Sequence, residues 1–600
     1  MKRWVAVMLG VGVAWASAKA VYAQDTRTSL DDAIRGYEQS SHASANGVVE
    51  DWSTHRVVFS DPPQGSAAES KVQRDSRYWM QKLSTHMTAA SSVDEAALSN
   101  LVQKFRRRRR SKKIARDWSV SLGSGGSTGA GDFPAKFSFT TNGTPNCTSD
   151  FVVFNTGLAG SGTHASIVAF NNLYKSPTCT TGTVPSTYWA YNTGGTIVTS
   201  PVLSYPAGDQ VAFVQSVSGV ANLVVLKWKA TGSTITTLTS NSSYPNCTAP
   251  CMIQIPFNGN RADTLSSPFW DQASDSIFVG DAGGVLHKFS PVFNPGGTTT
   301  TPVEVTTGGF PITVSQSTTK QALASPVYDS GTKQIFVGDG HAAGASNDGE
   351  VHAIATAGGT ATLTNSQATI CHGIGYADPP LLDPSASRVY FACGNDQGGG
   401  NCSAAGVGCI RQFAENFASG SAGTGEPLGT SADAHIFPGA FDNIYLSAVG
   451  PTGNLYVCGN PGGAPTLYRV PLSNNVMGTP VTVATLTGAT TSATCSPVTE
   501  FYNTTTSTDW LFLSVSASGN RTGCTGACVY SFNATSALSA GTNANAGMSS
   551  AGGSSGIIVD NSGGSSSTVA NVYYSTLSNQ ACGTGGTGGC AVQATQSGLL

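Results

Sequence analysis

Charge is scarce in this chain: 11% of its 600 residues are Asp, Glu, Lys or Arg, and the formal net charge is −3. A body so weakly charged carries no broad basic surface for a polyanion, so nucleic acid is not an expected partner. Long apolar runs are missing too. After the first two dozen residues no stretch approaches the roughly 18 apolar residues that a membrane helix needs. No CxxC is followed by His, and no Asp box with its tryptophan occurs, which removes haem attachment and bacterial-sialidase chemistry. The 71 glycines, with Ser and Thr crowding between short apolar strings, make a composition of many brief strands and turns.

What is present is a repeat. The strings IVAF, VLKW, LHKF, VHAI, IRQF, LYRV, VYSF and AVQA begin at Ile167, Val225, Leu286, Val351, Ile410, Leu467, Val529 and Ala591. Spacing this regular is the mark of a repeat architecture. Each unit reads as four strands. Strand one is SPVL at Ser200, SPFW at Ser267, SPVY at Ser325, SPVT at Ser496 and a looser GIIV at Gly556. Strand two opens at Phe151, Val211, Ile277, Ile335, Val389, Leu455, Leu511 and Val572, and the repeated string is strand three. Strand four is represented by TPVEVTT at 301–307 and TPVTVAT at 479–485. Radial repetition of such units predicts an all-β fold, an eight-bladed β-propeller over 116–600. The chain stops just after the eighth strand three, while DWSVSL from Asp117 belongs to no unit. That orphan strand is expected to complete the last blade and close the ring.

The N-terminus has Lys2 and Arg3, a short apolar stretch from Trp4, and a small-residue site, VYA, before Gln24. This predicts a cleaved signal peptide over 1–23 and an exported protein, periplasmic, cell-surface or extracellular. Residues 24–115 form a basic N-terminal region, partly helical and partly disordered. Residues 24–116 hold 16 basic and 11 acidic residues, against 12 and 23 in 117–600, so the two parts should attract each other. Helical spacing predicts two amphipathic helices, one through Tyr78, Trp79, Leu83 and Met87, the other through Ala97, Leu98, Leu101, Val102 and Phe105. Five arginines follow at 106–110. They read as cations at a helix C-terminus, as a tether, or as a processing site.

All fourteen cysteines lie beyond the signal and pair as sequence neighbours. The expected disulfides are Cys147 with Cys179, Cys247 with Cys251, Cys371 with Cys393, Cys402 with Cys409, Cys458 with Cys495, Cys524 with Cys528, and Cys582 with Cys590. Three of these staple the loop that leads into strand three.

The turns and strands from Phe278 to Phe289, FVGDAGGVLHKF, and their second copy from Phe336 to Ile354 resemble quinoprotein-like (PQQ-like) propeller repeats. That family includes an outer-membrane assembly lipoprotein and pilus-tip adhesins. The whole chain also looks like exported bacterial propeller proteins. The resemblance implies the fold and no particular activity. Quinone-dependent dehydrogenases of this fold hold adjacent cysteines against the cofactor, and none adjoin here, so no cofactor is expected.

Candidate chemistry is sparse. GxSxG occurs at 125–129 and 552–556 and GxGxxG at 583–588, all in Gly/Ser-rich chain without a following helix. His287 and His352 occupy one repeat position, which holds Arg411 and Tyr468 elsewhere, so they read as packing residues. Asp271, Asp329 and Asp383, six residues before a strand two, read as turn formers. Asp281, Asp339 and Asp396 follow strand two; with His341, Asp348 and Glu350 they suggest an acidic binding face for calcium or a basic or sugar ligand. The expected function is a monomeric, non-catalytic exported scaffold that binds a protein, a polysaccharide or a cell surface. The alternative is an envelope hydrolase or lyase with carboxylates and histidine, Asp339 and His341 foremost, at the channel mouth.

Overall fold

The computed structural model describes residues 35–36, 47–86 and most of 114–596, within which the longest stretches left out are 341–348 and 561–570. The signal segment, the second expected helix, the five arginines, His341 and Asp348 lie outside the described residues.

Among the described residues, eight units each pair a strand two with a strand three in antiparallel register. Strands one to four follow in order from the inside outward, as in unit 7, whose order is Thr499–Asn503, Thr508–Gly519, Gly526–Asn533 and Ala546–Ser549. The central strands are buried on both faces, which explains runs such as Phe151–Asn155 with no polar face. The fold is an all-β propeller. The last unit lacks a strand four of its own, and Ile114–Ser121 supplies it, Ile114 facing Gln596 and Ser121 facing Cys590. Trp118 in that strand packs on Phe170 and Tyr573, and its indole N–H donates to the Leu173 carbonyl at 3.2 Å, which joins the last unit to the first.

The Ser-Pro signature has a structural reason. Ser200 Oγ accepts the Phe133 N–H at 2.9 Å, Ser267 Oγ accepts the Ser200 N–H at 2.9 Å, and Ser325 Oγ accepts the Ser267 N–H at 2.7 Å. Each serine satisfies a buried donor of the preceding unit, a group that no ladder reaches. Strand four of unit 3 departs from expectation. Glu304 bridges Phe289, but the chain then loops out before Ile312–Thr313 pairs with Val285 and Leu286. Gly308 and Gly309, at φ +61° and +79°, form the break.

All seven disulfides form as paired in the sequence. Two do more than staple a loop. Cys371–Cys393 ties unit 4 to unit 5, and Cys458–Cys495 ties strand two of unit 6 to the residue before the Ser496 motif of unit 7.

The N-terminal segment threads the lumen. Val48–Glu50 adds antiparallel to the innermost strand of unit 1, Ala135–Ser138, and helix α1 (Trp52–Arg56) follows, its N-terminus capped by Asp51 accepting the Ser53 N–H. Trp52 donates to the Pro268 carbonyl at 3.2 Å and meets Phe269 edge-on. His55 stacks on Phe133, and Arg56 pairs with Asp378. The chain then descends along unit 5, where Val58 N–H donates to the Leu382 carbonyl at 2.9 Å. Helices α2 (Ala67–Val72) and α3 (Ser76–His86) cover the end where strands one turn into strands two. There Lys71 reaches Asp329 at 2.6 Å and Glu415 at 3.1 Å, so the charge asymmetry between the two parts of the chain is realised as buried ion pairs. The turn-forming role of Asp271, Asp329 and Asp383 is also present: each accepts N–H groups two or three residues ahead.

Candidate functional site

The repeat carboxylates come first, because the sequence singled them out. Asp281, Asp339 and Asp396 are buried, and each meets a basic side chain on strand three of its own unit. Asp281 accepts the Gly283 and Val285 N–H groups at 2.8 Å and lies 3.4 Å from His287 Nε2, whose Nδ1 is 2.6 Å from Glu304. Burial acts to lower the His287 pKa, but hydrogen bonds to Asp281 and Glu304 overcome it and raise it. Asp339 accepts the Glu350 N–H at 2.6 Å and stands 3.1 Å from His352 Nε2, with Glu350 at 3.7 Å. Asp396 takes Arg411 in a fork, at 2.6 and 2.7 Å. These carboxylates are interior to their blades, engaged one unit at a time, and do not form a solvent-facing acidic set.

Asp339, Glu350 and His352 offer three donor atoms within 4.8 Å of one another. An imidazole is a poor calcium ligand. In unit 5 the same position carries Arg411, a permanent cation, so the repeat position supplies a hydrogen-bonding basic side chain to a buried Asp. A second group, Asp396 with Cys402 and Cys409, has its sulfurs closed in a disulfide.

A different site lies in the lumen. The N-terminal segment leans on units 1, 3, 4 and 5, meets unit 6 where Asp61 bridges Val449 and unit 7 where helix α3 nears Thr499–Asn503, and leaves a cavity of about 420 Å³ against units 6 to 8. Its walls include Glu50, His55 and Tyr78 from the segment, with Phe441, Glu500 and Tyr502 from the innermost strands. Strand alternation decides these placements. Glu50 faces Lys136 across the added strand pair, and Lys136 is itself 3.1 Å from Asp560. Burial pushes the Glu50 carboxyl up to about 8 against the pull of Lys136, with Asp51 and Asp560 adding to the rise. His55 is driven down to about 3 by burial and by neighbouring Arg56, so its ring is neutral. Glu500 lies beside Asp509: burial raises Glu500, aided by that neighbour, and brings Asp509 to about 7. Near neutral pH the two carboxyls do not both ionise. Asp509 also accepts the Asn443 N–H at 2.8 Å, where helix α4 (Asn443–Leu446) begins beside the cavity.

The cavity therefore combines aromatic walls with carboxyl groups that keep protons near neutral pH and a neutral imidazole. Such a set can donate hydrogen bonds, bind a cation by releasing protons, or act as a general acid. Sequence reasoning missed these residues. Glu50, His55 and Glu500 lie outside the repeated strings, and only the fold brings 48–84 against 440–504.

No family model matches this sequence, and no curated protein does. Among solved structures, BamB from Moraxella catarrhalis is similar at 11% identity, covering 80% of this chain and 99% of that one with a TM-score of 0.37. The Dos1 propeller is similar at 9% identity, over 80% of this chain and 95% of that one, with a TM-score of 0.40. The dihydro-heme d1 dehydrogenase NirN in complex with DHE is similar at 12% identity, over 76% and 84%, with a TM-score of 0.35. At such scores the likeness carries no argument, and the propeller assignment rests on the strand pairing.

Proposed function

We propose that the protein is an exported, eight-bladed, quinoprotein-like propeller that binds a protein, a polysaccharide or a cell surface and does not turn it over. The observation that carries this reading is that the chain's own N-terminal segment packs against the innermost strands and leaves beside it a cavity with an aromatic wall. The repeat carboxylates support it, since they pair with basic side chains inside blades and are withdrawn from chemistry at the surface. Export is supported by the signal-like N-terminus and by seven disulfides, which persist in an oxidising compartment. Among the described residues no helix is long and apolar enough to cross a membrane.

The experiment is a binding screen of the purified mature chain against envelope polysaccharides and envelope proteins, run beside a turnover screen of glycosides and esters. Saturable binding without turnover is the expected result. Turnover that disappears in Glu500→Gln would instead establish the second reading, an envelope hydrolase or lyase. That reading is favoured by one observation: Glu50 and Glu500, two carboxyls raised by burial, line the same cavity as the neutral His55.

A further inference from the structure

The innermost strand of a propeller blade has one edge facing the lumen, and such an edge is a template for a further strand. This protein already uses that template on itself. Val48–Glu50 pairs antiparallel with the inner strand of unit 1, and Val57 bridges Leu382 of unit 5 in parallel sense. Both additions come from one segment. Among the described residues, no further strand joins the inner strands of units 2, 3, 4, 6, 7 and 8, and of these Thr499–Asn503 in unit 7 and Ile558–Asp560 in unit 8 border the cavity. Both strands contribute to the cavity wall: Glu500, Phe501 and Tyr502 from one, Val559 from the other.

We propose that the cavity takes an extended peptide carrying a basic side chain, added as a strand to the inner edge of unit 7, Thr499–Asn503. The inference deepens the binding reading above and rests on it. Three observations converge. First, the innermost blade strands accept added backbone, as an antiparallel strand at residues 48–50 and as a single parallel bridge at Val57. Second, about 420 Å³ of space lies along the unit 7 strand, within the range of a ligand pocket and adequate for a few extended residues. Third, the charges are unbalanced. Of the cations lining the cavity, Arg77 is held in a fork by Asp75 and Lys82 is paired with Asp61. Lys136, facing Glu50, is claimed by Asp560. Glu50 and Glu500 are left with buried protons in place of a cation. Around Glu50 stand Lys136, Asp51 and Asp560, and around Glu500 stand Asp509 and Asp442. A lysine ammonium entering the cavity displaces those protons and supplies the missing counter-charge. Main-chain hydrogen bonds to the edge give affinity, and the carboxyls give the preference for a basic residue.

The test uses the full mature chain and four probes: the acetylated, amidated pentapeptide Thr-Val-Lys-Val-Thr, the same peptide N-methylated at both valines, the version with norleucine for lysine, and free cadaverine. Calorimetry should show one-to-one binding of the lysine peptide. N-methylation should weaken it about tenfold or more, because it deletes edge hydrogen bonds. Glu500→Gln should weaken the lysine peptide about tenfold while leaving the norleucine peptide unchanged. Bound peptide should slow amide exchange of the unit 7 inner strand. Equal binding of the N-methylated peptide, or cadaverine binding as tightly as the pentapeptide, overturns strand addition. Absence of peptide binding, in a protein that binds a polysaccharide or a protein in the screen above, overturns this inference and leaves the scaffold reading standing. Failure of both screens, with turnover present, removes the two together.

Discussion

Replacing Arg56 by methionine removes the cation that fastens the N-terminal segment in the lumen. Arg56 is 1% exposed, its guanidinium is paired with Asp378, and it lies 5.7 Å from the centre of the Phe133 ring. Breaking a buried pair by deleting one partner costs about 3–5 kcal/mol, because the other charge stays behind. Here the cost has a ceiling. Burial already pushes Asp378 up to about 7 with Arg56 in place, so without the guanidinium the carboxyl takes a proton instead of remaining charged. The expected loss is about 3 kcal/mol at pH 8, shrinking by up to about 1.4 kcal/mol by pH 7 and levelling off below it, where the carboxyl is protonated even with Arg56 in place. Arg56→Met combined with Asp378→Leu should recover most of it, since an apolar pair of similar size is often neutral or better. Urea unfolding followed by tryptophan fluorescence reads the global term. Hydrogen exchange at Val58, whose N–H bonds Leu382 O, reads release of the segment itself. An Arg56→Met protein with unchanged Val58 exchange, or a double variant no better than the single one, would refute the account of the segment as a clasped lumen element.

Other consequences follow from the same structure. Glu50 and Glu415 are raised by burial to about 8, and Asp132, Asp378 and Asp509 to about 7. The folded state therefore holds protons that the unfolded chain releases, a stabilising contribution lost as pH climbs through 7 and 8. His55, lowered to about 3, acts oppositely but only below about pH 6.5. The urea midpoint should be higher at pH 6 than at pH 8.5, and a flat or rising profile contradicts the assignments. Trp118→Ala empties the joint between the last and first units and should cost about 3–5 kcal/mol in the same assay; a loss below about 1 kcal/mol would mean that the closing strand is not holding the ring. Replacing Cys458 and Cys495 by serine opens a span of 37 residues and should cost about 4 kcal/mol, against about 2 for the span of 4 between Cys524 and Cys528. Equal midpoints for the two double variants would argue against the loop-entropy account.

The propeller was legible in the sequence because its signals are local and repeated. A strand two such as IFVG at Ile277 and a strand three such as LHKF at Leu286 lie a few residues apart, and each pair recurs with one period. The disulfides were legible for the same reason, as every partner is a neighbour among the cysteines. The closing strand at Trp118 was legible by counting, since one unit lacked a strand and one strand lacked a unit. The pairing of each Asp with a basic residue leaves a trace: Asp281 with His287, Asp339 with His352 and Asp396 with Arg411 recur at matching positions in three consecutive units. Recurrence of both signs of charge at fixed register points to pairing inside the blade, whereas either sign alone suggests a surface. The lumen segment left no comparable trace. Val48–Glu50 is too short to show a period, and its partner Ala135–Ser138 is far along the chain.

That asymmetry bears on where function resides. Repetition builds a wall whose inner edges are nearly equivalent, and an equivalent wall cannot by itself define one site. The non-repeating segment breaks the symmetry: it pairs with units 1 and 5, anchors to units 3 and 4 through Trp52 and Lys71, and leaves the cavity against the inner strands of units 6 to 8. The cavity exists only because 47–86 and the propeller meet, and its distinctive carboxyl, Glu50, is carried by that segment. A substitution that loosens the segment should therefore alter ligand binding without touching a cavity wall. Arg56→Met reports both effects, and its loss of affinity should track the fraction of molecules in which Val58 exchanges freely.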